Sequence, residues 1–132
     1  MPRPQPRFPE PDTQAFWDAT KEHKLTYSVC DKGHTVFFPR SHCPACGSRN
    51  LTTKESKGEG TIYTYSIVRL NRHPSFAPLV PYAVGYVDLD EGFRIMTNIV
   101  DTDVEALQPG QRVKLQWEDQ ESGVALPLFT RA

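Results

Sequence analysis

The sequence predicts a mainly β chain: a short N-terminal helix, a small metal-ribbon module and a C-terminal barrel of five strands. Three observations carry this reading. Cys43-Pro44-Ala45-Cys46-Gly47 sets two thiols three residues apart ahead of a glycine, the arrangement of a zinc knuckle. From Thr61 onward, apolar residues rich in β-branched and aromatic types recur with strand spacing between Gly, Pro and Asp turns. At 132 residues, with 38% hydrophobic and 11% aromatic content, the chain has material for one domain or two small joined modules.

Taken in order, residues 1–25 read as an arm and a helix. Five prolines between Met1 and Pro11 favour an extended, hydrogen-bond-poor arm. Asp12 or Thr13 then caps a helix running to about Lys24, with Ala15, Phe16 and Ala19 on its buried side and Trp17 beside that stripe. Lys21 and Lys24 suit its C-terminal dipole. So short a helix has to dock the Phe16-Trp17 pair on something, either its own domain or a partner.

Residues 26–57 are the ribbon candidate, and Leu51 to Gly60 reads as a polar connector leading into a sheet. Residues 58–132 supply the barrel. Its first strand, Thr61–Leu70, is expected to place Tyr63, Tyr65 and Ile67 on one face and Ile62, Val68 and Leu70 on the other. After a proline-punctuated loop, strands over 82–89 and 93–100 form a hairpin around Asp90-Glu91-Gly92. A short helical turn is expected within 101–107. Val113, Leu115 and Trp117 then mark the fourth strand, and Leu126, Leu128 and Phe129 the fifth. That profile fits an OB-type barrel, and an SH3-like barrel has a similar one.

A structural zinc site takes four N or S ligands. Cys43 and Cys46 supply two and Cys30 is the obvious third. His34, reached from Cys30 around Gly33, is the best fourth, while His42 beside Cys43 points away and Asp31 is a harder ligand. The alternative is a ribbon packed without metal on Val36, Phe37 and Phe38, because Lys32 stands where a thiolate is expected. No βαβ pattern surrounds Cys43 and Cys46, which argues against a redox disulfide.

Composition narrows the function. The net charge of −1 and pI near 6.4 give no basic groove for nucleic acid, although Tyr63, Tyr65, Tyr82 and Tyr86 have stacking faces. No apolar run approaches membrane-spanning length, no signal peptide is visible, and three cysteines suit a reducing cytoplasm. All four histidines precede the hairpin, and no nucleophile–base set stands out. Asp88, Asp90 and Glu91 read as a solvated turn.

Several motifs occur in a telling order. They are Asp12-Thr-Gln-Ala-Phe-Trp-Asp-Ala-Thr20, Phe38-Pro39-Arg40-Ser41-His42-Cys43-Pro44-Ala45-Cys46-Gly47, Gly60-Thr-Ile-Tyr-Thr-Tyr-Ser66, Pro81 to Gly92 and Leu107 to Val113. This order closely resembles the DUF35 family across nearly the whole chain. The resemblance implies an N-terminal helix, a rubredoxin-like zinc ribbon and an OB-fold. It also shows a departure. The family's usual first pair of cysteines would fall at Val29 and Lys32, leaving Cys30 one residue out of register, and Phe38 replaces a proline.

The resemblance further implies a non-catalytic subunit of thiolase-superfamily enzymes, in acetoacetyl-CoA and HMG-CoA chemistry or in steroid side-chain cleavage by thiolase-like aldolases. It implies a heterotetramer or larger complex, with structural zinc as the cofactor. The chain is expected to be a complete stand-alone subunit. Phe16, Trp17 and Phe38 are the expected partner-binding residues. Arg40, Arg69, Arg72 and His73 are candidates for direct contact with acyl-CoA.

Overall fold

The computed structural model describes residues 3–5, 7 and 10–132. A 3-10 turn over Pro11–Thr13 leads into helix α1, Gln14–Thr20, with proline at the first position of the turn. Thr13 holds the cap position without a side-chain cap bond; its hydroxyl donates back to the Glu10 carbonyl. The helix ends four residues short of the expected Lys24. His23 adopts a left-handed conformation (φ 57°), and the His23 and Lys24 amides close back on Thr20 and Ala19, in the manner of a Schellman cap. A histidine holds a place that favours glycine because its ring stacks on Trp117 and its Nε2 meets Asp119 at 2.6 Å.

The buried stripe of α1 is Phe16 and Thr20, whereas Ala15 is exposed and Ala19 only half-buried. Thr20 is fully enclosed, which its hydroxyl tolerates by donating to the Trp17 carbonyl and accepting from the Ala125 amide. The helix therefore docks on the chain's own barrel.

Three strands form the ribbon sheet: β1 (Thr26–Cys30), β2 (Thr35–Val36) and β3 (Leu51–Glu55), in the order β2-β1-β3. The last of these was expected to be connector. It pairs with β1 through five residues, Thr26 opposite Glu55 to Cys30 opposite Leu51, though Thr52 to Glu55 are all exposed.

The barrel comprises β4 (Glu59–Val68), β5 (Tyr82–Leu89), β6 (Arg94–Ile99), β7 (Arg112–Asp119) and β8 (Ala125–Arg131). They close in the order β4-β5-β6-β8-β7, with β4 paired back on β7 and a single parallel register, Ile99 opposite Phe129, between β6 and β8. This is the OB arrangement, so the SH3-like alternative falls away. Gly60 lies where β4 serves two neighbours, opposite both Leu89 and Val113. A Cβ there would stand 2.5 Å from the Asp88 carbonyl oxygen, so only glycine fits the crossing.

The expected faces of β4 need one correction. A bulge between Ile62 and Thr64 shifts the alternation, leaving Tyr63 exposed. Ile62 and Tyr65 both turn to the core, and the Tyr65 hydroxyl donates to the Leu107 carbonyl. The arm is also less free of hydrogen bonds than its prolines suggest. Arg3 donates to Glu118 and Asn98, and Gln5 bonds Gln120 and Ser122.

The acidic turn after β5 is bonded rather than merely solvated. Asp88 accepts from Arg94, Asp90 from Arg112, and Glu91 accepts from Ser56 and the Lys57 amide, which ties the ribbon's exit to the barrel. The Arg112 hydrogen bonds hold the Asp90 carboxyl below its ordinary range. A depressed folded-state pKa contributes stability above the unfolded carboxylate value, about 3.9, and loses it as pH falls through the lower folded value. Asp90→Asn is therefore expected to be less stable than the parent at pH 6, the gap shrinking below about pH 4. Paired urea titrations at pH 6 and pH 3 check this; an unchanged gap refutes it.

Candidate metal centre and apolar cavity

Two turns bring the ligands together. In the second knuckle Gly47 (φ 75°) donates its amide to the Cys43 carbonyl at 2.8 Å; in the first, Gly33 (φ 87°) donates to the Cys30 carbonyl at 2.9 Å. Left-handed glycines fold each segment back on itself. The ligand atoms of Cys30, His34, Cys43 and Cys46 all lie within 4.8 Å of one another. Cys30 Sγ is 3.9 Å from Cys46 Sγ.

Zinc bonded to sulfur at about 2.3 Å and to nitrogen at about 2.0 Å sits in a tetrahedron with S–S edges of about 3.8 Å and S–N edges of about 3.5 Å. The four residues fit that shape and donor set, as the sequence predicts. Of the other candidates, Asp31 is engaged by Ser48 and Asn50, and exposed His42 bonds the Ser41 hydroxyl.

Bound here, zinc supplies a structural cross-link: four protein ligands leave no open position for water activation. The surroundings prepare the thiols for it. Burial pushes Cys30 up, but the His34 and Lys32 amides with the His34 and Cys46 side chains outweigh it and leave the thiol lowered. Cys43 is likewise lowered, its burial outweighed by the Ala45 and Cys46 amides and the neighbouring thiols. At Cys46 the Ser48 amide lowers the pKa, yet burial and the two nearby sulfurs raise it on balance. A divalent cation relieves that crowding of thiolates.

Beside the ribbon an apolar cavity of about 520 Å³ opens where α1, the ribbon loop and the barrel meet. Phe16, Trp17, Phe37 and Phe38 wall one side; Phe76, Tyr82, Val84, Met96 and Leu128 are among those on the other. Phe16 is 3% exposed and fills the chain's own core, so it does not itself offer a partner-facing surface as expected. Trp17 is half-buried and Phe38 is exposed, both at the cavity. Met96 and Tyr86, opposite each other on β6 and β5, extend an exposed apolar strip from it. The sequence reading missed Met96 as a functional candidate. Its signal was an outward methionine in the β6 alternation, between buried Ile95 and Thr97.

The four basic candidates do not converge. Arg40 lines a groove between α1 and the ribbon. Arg69, Arg72 and His73 belong to the loop after β4, where Arg69 pairs with Glu105 at 2.7 Å and His73 Nδ1 accepts from the Ser75 amide. Arg72 is exposed. Among the described residues no hydrogen bond or ion pair joins Arg40 to that loop. No helix in the described residues is long and apolar enough to cross a membrane.

Residues 17–52 match the family described as the rubredoxin-like zinc ribbon domain of ChsH2, and residues 53–118 its C-terminal OB-fold domain. The chain is 34% identical over 132 residues to the probable enoyl-CoA hydratase alpha subunit of Thermomonospora curvata, spanning 98% of this chain but 40% of that protein. A DUF35 domain-containing scaffold protein of Pyrococcus furiosus is 33% identical over 101 residues, 76% of this chain and 74% of its own length. Among solved structures, the Ltp2-ChsH2(DUF35) aldolase offers a match of TM-score 0.86 at 30% identity, covering 96% of this chain and 98% of that one. Helix, ribbon and closed barrel thus recur together in that solved structure, and the chain belongs to the DUF35 family, with the zinc ribbon and OB-fold of ChsH2.

Proposed function

We propose that this chain is a non-catalytic accessory subunit that binds and stabilises a thiolase-like enzyme acting on acyl-CoA substrates. The partner's reaction makes or breaks a carbon–carbon bond, as in steroid side-chain retro-aldol cleavage or in acetoacetyl-CoA and HMG-CoA chemistry. The observation that carries this reading is the near-complete likeness to a chain of the Ltp2-ChsH2(DUF35) aldolase, 96% of one chain against 98% of the other. The scaffold name of the archaeal relatives points the same way. In support, the sequence assembles no nucleophile–base set of its own.

In this reading Trp17 and Phe38 contact the enzyme at the cavity mouth, and the assembly is a heterotetramer or larger. Contact with acyl-CoA falls to the arginines, Arg72 being exposed while Arg69 is held by Glu105. Co-expression with a thiolase-like protein of the same organism is expected to yield a stable complex on size-exclusion chromatography. Phe38→Asp is expected to weaken it by about 30-fold or more, the scale of an interface hot spot, with the melting temperature monitored as a control. A chain that stays alone beside such proteins, or a Phe38→Asp variant that assembles normally, would sink the proposal.

A further inference from the structure

We propose that this ribbon holds its metal through Nδ1 of His34, in a first knuckle of form Cys-x3-His whose second ligand follows the turn glycine instead of preceding it. Nδ1 lies 3.3 Å from Cys30 Sγ and 3.7 Å from Cys43 Sγ, bracketing the S–N edge of about 3.5 Å expected around zinc. Two backbone contacts and one turn explain why that nitrogen is the one presented. The His34 amide donates to Cys30 Sγ at 3.3 Å, its carbonyl accepts from the Cys30 amide at 2.9 Å, and Gly33 turns the chain immediately before it. With the backbone drawn so close to the sulfur, Nδ1, the ring nitrogen nearer the backbone, is the one that reaches the two thiols.

The second knuckle provides the comparison. There both thiols precede their glycine, Cys43-x2-Cys46-Gly47; in the first, only Cys30 does, and Lys32 occupies the place of the missing thiol. Shifting the second ligand past Gly33 calls for a longer side chain whose donor atom lies one bond beyond the γ position, and Nδ1 supplies it. His34 is exposed, and ligation at Nδ1 leaves the proton of the neutral ring on Nε2. Three thiolates and one neutral imidazole give a shell with one negative charge fewer than four thiolates, and a donor set that suits zinc.

Long-range proton–nitrogen NMR of the zinc-loaded full chain tests the assignment without any substitution. The expected spectrum shows His34 with Nδ1 unprotonated and metal-shifted and Nε2 carrying the proton. A His34 protonated at Nδ1, or one mixing tautomers while zinc stays bound, would overturn it by assigning the bond to Nε2 or to another group. Competition with a chelator gives a second readout: His34→Ala is expected to lower zinc affinity by more than about 100-fold, beyond the range for loss of an outer-shell contact. Affinity unchanged in that variant overturns the proposal as well.

Discussion

Cys43→Ser is expected to strip the ribbon of zinc and dissolve its fold, with metal content falling from about one ion per chain to near none. The reason lies in how little else the ribbon has. Its buried cluster is Cys30, Val36 and Cys43, so two of its three core residues are ligands, and Cys43 is only 1% exposed. Strands β1 and β3 have five residues each and β2 has two. Structural zinc contributes about 10–16 kcal/mol in isolated finger peptides, as much as or more than the whole stability of an ordinary domain. Amide signals from residues 26–50 are expected to collapse toward random-coil positions in the variant, and in the parent treated with a strong chelator. A variant that keeps its dispersed spectrum without metal would show that aromatic packing alone holds the ribbon.

Phe129→Ala is expected to destabilise the barrel by about 3–5 kcal/mol, or to lower its melting temperature by roughly 10–20 °C. Phe129 is fully buried and is the largest such side chain among the described residues. It lies opposite Leu115 on β7 and Ile99 on β6, and its carbonyl accepts from the Val100 amide at 2.7 Å. Truncating it opens a void at the seam where only one parallel register joins β6 to β8. Urea unfolding followed by tryptophan fluorescence measures the loss; a change below about 1 kcal/mol would mean that the barrel closes its seam in another way.

Much of this was legible because local chemistry and tertiary fold agree. The hairpin of β5 and β6 alternates cleanly and carries its turn glycine, Gly92 (φ 98°), at the expected place. The ligands Cys30, His34, Cys43 and Cys46 were readable from spacing. Other features were set by contacts that no short window contains. His23 ends α1 in a glycine-like conformation only because Trp117 and Asp119, nearly a hundred residues away, receive its ring. Strand β3 is polar on both faces after Leu51 and shows no alternation; its pairing with β1 makes it a strand. The bulge at Tyr63 inverted the faces of β4 because one extra residue resets a period of two. Thr20 lies outside the expected stripe of Ala15, Phe16 and Ala19, and it joins the core because the Ala125 amide gives its hydroxyl a buried partner.

The rings of Tyr27, Phe93, Phe37, Phe38, Phe16 and Trp17 form an unbroken series, each 4.7–5.4 Å from a neighbour in it. Phe37 and Phe38 in that series stand on the loop between the ligands His34 and Cys43. Whatever fills the cavity beside them and whatever fills the metal site therefore act on the same short loop. An occupant of the cavity that prefers the zinc-ordered loop would tighten the hold on zinc by the same factor by which zinc tightens the hold on that occupant.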